Sequence, residues 1–331
     1  MTDIWRNNRH SEEKMRNSSK AGAKKQSFFA SLLLNIKKHP WLYIMAIPVV
    51  AFYVVFHYMP MYGAIIAFKN FVPAKGIAGS PWAGMFGFEH FHTFLTGPFF
   101  LRLLKNTILI SVYDILFSFT SSIVFAILLN ELRCERYKKL VQTFTYLPHF
   151  ISTMVVCGLI NTFVGREGLI NDIIALFGGE RANLLADPTK FRSIFIISNI
   201  WQGIGWNSIV FLAALTNVDP QLYEAATIDG AGKLKKIWYV TIPGIIPTIV
   251  VMFILRMGTI LTVGYEKIIL LYNPLTYETA DVISSFVYRR GLMESDYSFS
   301  SAVGLLNSIV NFIMVVLTNT VSRKLNDTSL W

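Results

Sequence analysis

The sequence is poor in charged residues and in cysteine. Charged side chains make up 15% of its 331 residues, whereas about a quarter is typical of soluble proteins. Hydrophobic residues make up 53%, a balance typical of a protein that crosses a membrane several times. The two cysteines, Cys134 and Cys157, are too few for a disulfide framework. We expect both to be reduced.

Motifs for nucleotide hydrolysis and for metal binding are also missing from the sequence. A phosphate-binding loop requires Gly-x-x-x-x-Gly-Lys-Ser/Thr. The nearest approach is Gly230-Ala231-Gly232-Lys233-Leu234, which lacks both the first glycine and the hydroxyl. The six histidines are scattered rather than placed at zinc-ligand spacing. We therefore expect no catalytic residue, no metal site and no cofactor in this chain.

Six apolar stretches are long enough to cross a bilayer, which takes about 20 residues. They are Trp41–Ile66, Lys105–Leu129, Gln142–Val164, Phe191–Leu215, Ile245–Tyr265 and Ala302–Val321. Pro148 is expected to mark the entry of the third stretch. The pattern predicts an all-α membrane protein with six transmembrane helices.

Lysine and arginine are biased to one side of this topology. With the N-terminus inside, 18 of the 30 basic residues fall in cytoplasmic segments, 11 fall in external segments, and Arg256 lies within a span. Because cytoplasmic loops carry the excess of basic residues, we expect an N-in/C-in orientation. The loop between spans four and five is then cytoplasmic.

The predicted organisation has four parts. Residues 1–26 form a basic cytoplasmic tail that we expect to be disordered. Residues 27–40 form an amphipathic helix lying on the inner membrane interface. Residues 41–325 form the transmembrane domain, and residues 326–331 form a C-terminal tail. Apolar residues at helical spacing also predict short external helices over Gly168–Phe177 and Asp281–Arg290.

The loop after span four has the signals of a short helix. Asp219 can cap it, and Pro220 suits its first position. Gly230 and Gly232 are expected to end it with positive φ. Its surface would be small and mostly apolar, formed by Leu222, Tyr223, Ala225 and Ala226.

The spacing within this loop resembles a known motif. Glu224-Ala225-Ala226 is followed after three residues by Gly230, and after nine more by Val240-Thr241-Ile242-Pro243. This arrangement resembles the coupling motif of permease subunits of binding-protein-dependent ABC importers, with Val240 and Ile242 in place of the usual Ile and Leu. Over roughly residues 40–325 the chain is similar to the polysaccharide-type permeases. The stretches that carry this similarity are Met59-Pro60-Met61-Tyr62-Gly63, Ala67-Phe68-Lys69, Gly79-Ser80-Pro81-Trp82, Leu128-Leu129-Asn130-Glu131-Leu132, Tyr146-Leu147-Pro148-His149-Phe150, Tyr272-Asn273-Pro274 and Glu278-Thr279-Ala280-Asp281-Val282-Ile283.

The resemblance implies a set of partners. A second homologous permease pairs with this chain, two ATPase subunits that carry ATP and Mg bind beneath them, and a solute-binding protein docks outside. It implies the bacterial cytoplasmic (inner) membrane, with lipid but no nucleic acid as a partner. Relatives import oligosaccharides, and an acidic, alginate-type cargo is our first choice. The residues expected to contact the ATPase are Glu224, Ala225, Ala226, Asp229, Gly230 and Gly232.

Two charged residues lie within predicted spans. Asp114 and Arg256 are each about nine residues from the outer end of their stretch. Because a charge at membrane depth is costly and needs a partner or water, we expect an ion pair or a shared cavity. A structural pair is the favoured interpretation of Asp114, and for Arg256 a role in the substrate path stays equally open.

Residue types that bind sugars cluster near span four and after span five. Asn199, Gln202 and Trp206 fall on one helical face, and Tyr265 and Lys267 follow span five. The predicted substrate path comprises these five residues and Arg256. The alternative is that tryptophan anchors the lipid interface and amides join helices.

The sequence is also compared with two other classes of membrane protein, a secondary transporter and an enzyme. An ion-coupled secondary transporter often shows inverted repeats with broken helices, and no repeat is evident. A membrane-bound glycan enzyme would need paired carboxylates or a metal-binding loop, and neither is evident in the sequence.

Overall fold

The computed structural model describes residues 37–326 and 329–331. The predicted tail over residues 1–26 and most of the predicted interfacial helix over 27–40 therefore lie outside the described residues. By its internal contacts the chain divides into two units, Met1–Gly63 and Ala64–Trp331. Within the described residues the one β feature is an isolated bridge between Lys69 and Trp82.

Six helices are long and apolar enough to cross a membrane. They are Pro40–Phe68, Phe100–Asn130, Thr153–Leu176, Pro188–Leu215, Lys233–Met257 and Tyr297–Lys324, hereafter spans 1 to 6. Three of them contain a π-helical turn, at Val54–Tyr58, Asp114–Phe119 and Ile237–Thr241. Span 1 ends in a 3₁₀ segment, Tyr62–Phe68. Span 3 consists of helices Thr153–Val164 and Leu169–Leu176. The stretch Gly168–Phe177 is therefore helical as expected, but it belongs to the candidate span rather than to a separate short helix.

The predicted start of the third span was wrong. Its first residues belong to a separate helix, Glu135–Tyr146, followed by a 3₁₀ turn at Leu147–Phe150. Pro148 in this turn cannot continue the preceding helix. The spanning helix begins only at Thr153, where the Ser152 hydroxyl accepts a hydrogen bond from the backbone N–H of Val155 at 3.4 Å.

The predicted bounds of the fifth span were also wrong, at both ends. The helix begins at Lys233, not Ile245, because the π turn Ile237–Thr241 joins the helical turn Lys233–Lys236 to the helix Ile242–Met257. It ends at Met257 with Gly258 as its cap, so Tyr265 lies in a later helix. Arg256 is therefore in the last turn of the helix rather than about nine residues inside it.

Short helices fill the connections. Between spans 1 and 2 they are Pro73–Lys75, Gly76–Gly79, Met85–Gly87 and Glu89–Leu95. Before span 4 there is Leu184–Ala186, and between spans 4 and 5 there is Pro220–Ile228. Between spans 5 and 6 they are Tyr265–Leu271, Pro274–Thr276, Tyr277–Ala280, Ile283–Tyr288 and the π turn Arg289–Met293. The last two of these show that most of the stretch Asp281–Arg290 is helical, as expected, from Ile283 onward.

Span 4 is the centre of the packing in the unit Ala64–Trp331. It contacts span 2, span 5 and helix Glu135–Tyr146. Gly205 permits the close approach to that helix, because a Cβ there would clash with the carbonyl oxygen of Thr145. Large buried side chains on both halves of the span, Phe191, Phe195 and Phe211, fill the surrounding core.

Hydrogen bonds join the N-terminal parts of spans 2 and 4 to the connection before span 6. Asn106 on span 2 is buried, and its Nδ2 donates to the carbonyl oxygens of Glu278 at 2.9 Å and Asp281 at 3.0 Å. Its Oδ1 accepts from Nη2 of Arg192 on span 4 at 2.8 Å. The Asn106 amide therefore joins span 2 to span 4 and to the connection before span 6, and this hydrogen-bonded network cross-links the three segments.

Candidate functional site

The helix Pro220–Ile228 is capped at both ends by its own sequence. Asp219 Oδ1 accepts a hydrogen bond from the backbone N–H of Gln221 at 2.9 Å. At the other end Gly230 has φ +74, and the N–H of Ala231 donates to the carbonyl of Ala226 at 2.9 Å. This is the bond of a Schellman-type ending, which favours glycine. Gly232 has φ −69, so the expectation of positive φ holds at Gly230 and fails at Gly232.

This loop helix is fastened to the ends of spans 4 and 5. The hydroxyl of Tyr223 lies 3.1 Å from Oγ1 of Thr241, where either oxygen can donate. Val218 packs with Ile245 in a buried cluster, and a Cβ on Gly244 would approach Val218 Cγ2 to 2.7 Å. Phe211 and Leu215 of span 4 belong to the same buried cluster. The loop helix is therefore held against the ends of both spans by packed side chains.

The opposite side of the loop helix faces solvent. Of the residues expected to contact an ATPase, Glu224, Ala225, Asp229, Gly230 and Gly232 are exposed and Ala226 is half-buried. Tyr223, expected on this surface, is turned toward Thr241 instead. Ile228 is 87% exposed but is not among the contact residues predicted from the sequence. The sequence signal for it is an isoleucine directly before Asp229, at the end of the predicted helix.

A chain of polar side chains links spans 2, 4 and 5 with the helix Tyr265–Leu271. The Arg256 guanidinium forms an ion pair with Oδ2 of Asp114. Asn199 Nδ2 donates to Asp114 Oδ1 at 3.3 Å, and Lys267 Nζ donates to Asn199 Oδ1 at 2.9 Å. The structure therefore brings together three of the predicted path residues, Asn199, Arg256 and Lys267, around the carboxylate of Asp114.

The members of this polar chain differ in exposure. Asp114 is 2% exposed and Lys267 is 5% exposed, so each depends on its partners for the solvation that water would otherwise supply. Lys267 lies outside the six spans, and burial lowers its pKa to about 8. The side chain of Arg256 is 47% exposed, which leaves part of the guanidinium free to meet a ligand.

Arg256 lines a cavity of about 240 Å³ between spans 2, 4 and 5. Ser118, Ser122, Asn207 and Thr259 supply its other polar walls. Ser118 Oγ is buried and has no hydrogen-bond partner within the described chain. The two serines continue from Asp114 at steps of four residues. This polar stripe on span 2 is the sequence signal for the cavity.

The other predicted path residues lie elsewhere. Gln202 Nε2 donates to the carbonyl of Ile151 at 3.4 Å, and Trp206 stacks on His149 with ring centroids 4.4 Å apart. Both therefore bind the turn before span 3. Tyr265 lines a separate cavity of about 540 Å³ with two other tyrosines. Among the described residues, no group of three or more His, Cys, Asp or Glu side chains could hold a metal ion.

Comparison with known proteins decides the family. Residues 122–327 match the model of the family described as binding-protein-dependent transport system inner membrane component. The chain belongs to this family. The permease is thus a non-catalytic, multi-pass subunit of a bacterial ABC transporter in the inner membrane.

Relatives of the permease cover nearly its whole length. It is 40% identical over 301 residues to the polygalacturonan/rhamnogalacturonan transport system permease protein YteP of Bacillus subtilis (strain 168), covering 91% of this chain and 93% of the relative. A chain from the crystal structure of a bacterial ABC transporter involved in the import of the acidic polysaccharide alginate is 41% identical, with a TM-score of 0.82 over 89% of this chain and 99% of that chain. A second structure, of a bacterial alginate ABC transporter in complex with an alginate pentasaccharide-bound periplasmic protein, gives 41% identity and a TM-score of 0.83, covering 90% and 99%.

Proposed function

We propose that this permease imports acidic oligosaccharides. In the proposed complex it pairs with a second homologous permease, binds two ATPase subunits on the cytoplasmic side, and receives cargo from an external solute-binding protein. The ion-coupled alternative is set aside, because the family is that of binding-protein-dependent transport systems.

The acidic class of cargo is supported from two directions. By their descriptions, the relatives named above belong to a transport system for polygalacturonan and rhamnogalacturonan and to a transporter involved in the import of alginate. The single observation that carries the proposal in this chain is the cavity between spans 2, 4 and 5. It presents the partly free guanidinium of Arg256, oriented by buried Asp114, beside serine and asparagine side chains. A guanidinium suits a carboxylate, and the hydroxyl and amide groups suit sugar hydroxyls.

The proposed mechanism is alternating access driven from the cytoplasm. ATP-dependent closure of the ATPase pair moves the loop helix through contacts at Glu224, Ala225, Ala226, Asp229, Gly230 and Gly232. The contacts of Val218 and Tyr223 pass this movement to spans 4 and 5. Spans 3 to 6 then rock to expose the path outward. ATP binding favours the outward-open state because the closed ATPase pair binds the loop helix better in that state, and ATP hydrolysis releases it.

The proposal is tested by uptake in proteoliposomes that contain the assembled complex and its solute-binding protein. Acidic oligosaccharides should be taken up only with ATP, and Arg256→Gln should lower their uptake about tenfold, the effect of losing one hydrogen bond to a charged group. Arg166→Gln, at an exposed external position, is the matched control and should retain uptake. Equal uptake of neutral oligosaccharides would reject the acidic cargo, and no effect of Arg256→Gln would reject the role of the Arg256 cavity in selecting it.

A further inference from the structure

A second basic cavity lies beside the beginning of span 2, on the side that the charge bias makes external. It has a volume of about 470 Å³ and lies between the helix Glu89–Leu95, span 2 and the segment Ile283–Met293. Three arginines line it, Arg102, Arg289 and Arg290, with Glu294 as the acidic residue among its walls. We call it the arginine pocket.

Arg102 is the least satisfied of the three arginines. Its side chain makes no hydrogen bond to another residue of the described chain, and its nearest carboxylate atom is Oδ2 of Asp281, 3.7 Å from Nη2. Its Nε is buried with no acceptor among the described residues. The guanidinium lies 5.0 Å from the centre of the Phe99 ring. Five donors and one distant carboxylate leave capacity for an anionic ligand.

The other two arginines are held in place by carboxylates. Arg289 Nη2 bonds Asp281 Oδ2 at 2.7 Å. Burial opposes the charged form of Arg289, but the hydrogen bonds and charge of Asp281 raise its pKa above the usual value. Arg290 Nη1 bonds Glu294 at 2.6 Å, yet its Nε is also buried without an acceptor in the described chain. Because Asp281 is fully buried between Arg102 and Arg289, it fixes their positions without occupying the cavity.

We infer that the arginine pocket binds the carboxylate of one uronate residue of an acidic oligosaccharide, as an external subsite that precedes the Arg256 cavity. This inference rests on the proposed function. Guanidinium groups pair with carboxylates in fork-like geometry, and the aromatic walls, Phe99, Tyr277 and Phe286 among them, suit the apolar face of a sugar ring. The volume is in the range of small-molecule sites. A single carboxylate side chain from a docked protein would leave most of it empty.

The test measures binding in the assembled complex with a reporter at the rim of the pocket. Thr93 is exposed and lines the cavity, so Thr93→Cys in a Cys134→Ser background can carry an environment-sensitive fluorophore. The probes are trigalacturonate and the same trisaccharide with its carboxylates reduced to alcohols. Trigalacturonate should give a saturable signal, and the reduced probe should give none.

Arg102→Gln should weaken trigalacturonate binding about tenfold or more, and added salt should weaken it in the unmodified pocket. The matched control is Arg181→Gln, which removes an exposed arginine paired with Asp172 at 2.6 Å outside the pocket and should leave the Kd unchanged. Arg290→Gln is the second variant, used in place of Arg102→Gln should the latter fail to assemble.

Three results would overturn the inference. They are equal binding of both probes, an unchanged Kd in the pocket variant that assembles, and a signal produced by sugar-free solute-binding protein alone, which would assign the pocket to a protein carboxylate. ATP-dependent uptake measured in the same preparation separates the two proposals. Uptake of trigalacturonate without binding at the reporter would reject only the pocket, and binding without ATP-dependent uptake would reject the proposed function.

Discussion

Asp114 is the residue on which the polar chain depends. Its carboxylate accepts from Arg256 and Asn199 and is almost fully buried. Asp114→Asn keeps the shape of the side chain and leaves Arg256 without a counter-charge. We expect the free energy of unfolding to fall by about 2 kcal/mol, the low end for breaking a buried pair, because Arg256 can still reach the water of its cavity. Thermal unfolding of the solubilised protein measures this change.

The double variant Asp114→Asn with Arg256→Gln is the control for this prediction. Once the arginine is also neutral, no unpaired charge remains, so the double variant should lose less stability than the two single variants added together. Strictly additive losses would show that the ion pair makes no energetic contribution of its own.

Lys267 gives the permease a dependence on pH. Its pKa is about 8 in the fold, against 10.5 for the ordinary side chain. Between these values the unfolded chain holds a proton that the folded chain has released, so the contribution of Lys267 to stability rises as the pH rises. From about pH 7.5 to about pH 9.5, the melting temperature of the unmodified protein should gain ~3 °C relative to Lys267→Met.

The comparison with Lys267→Met removes the effect of other groups that titrate in the same range. If the melting temperatures of the two proteins changed equally with pH, Lys267 would keep its ordinary pKa despite its burial. The carbonyl of Lys267 lies 4.0 Å from the buried Cys157 sulfur, so the substitution should preserve the backbone contact and change only the titrating group.

At the scale of single elements, the two glycines after the loop helix differ in backbone conformation, although the sequence predicts positive φ for both. Gly230 has φ +74 and Gly232 has φ −69, and neither would bring a Cβ within 4 Å of other atoms. Gly230→Ala should therefore strain the backbone by about 1 kcal/mol, whereas Gly232→Ala adds the same methyl group without strain. We expect Gly230→Ala to reduce uptake per ATP hydrolysed more strongly than Gly232→Ala does.

Uptake and ATP hydrolysis measured together in proteoliposomes decide between these variants. An equal loss in both would attribute the effect to the added methyl group at the ATPase contact and not to the left-handed turn. Both variants add a methyl group to the same surface, but only Gly230→Ala strains the backbone.

The sequence predicted the existence of the helices better than their limits. Apolar length fixes six spans, since few other structures satisfy their backbone in lipid. Pro148 correctly marked the entry of span 3, but apolar length does not reveal that a whole helix precedes it. Nor does it reveal that a π turn joins Lys233–Lys236 to the rest of span 5. Both depend on which backbone hydrogen bonds the surroundings allow.

The site was predicted unevenly for a similar reason. Charge at membrane depth indicated that Asp114 and Arg256 need partners, and the structure pairs them. Helical spacing placed Asn199, Gln202 and Trp206 on one face of span 4 but could not say what each would meet. Asn199 reaches Asp114, whereas Gln202 bonds the carbonyl of Ile151, because the neighbours along span 4 change from one turn to the next.

At the scale of the whole molecule, the orientation in the membrane is the prediction on which the coupling and pocket proposals both depend. The basic residues favour a cytoplasmic N-terminus, which places the exposed Cys134 inside and the exposed Glu180 outside. In intact cells, a membrane-impermeant maleimide should therefore leave Cys134 unmodified and should label it after permeabilisation. Glu180→Cys in a Cys134→Ser background should react in intact cells.

Cys157 is buried and should stay unreactive in both conditions, so the native protein contains its own internal control. Labelling of Cys134 from outside would invert the molecule, moving Glu224 and Gly230 to the external face and the arginine pocket to the cytoplasm. A loop helix on that face could not meet an ATPase, and a pocket inside could not receive cargo from an external binding protein. The two proposals therefore stand or fall together on this one labelling experiment, while their separate tests distinguish them once the orientation is known.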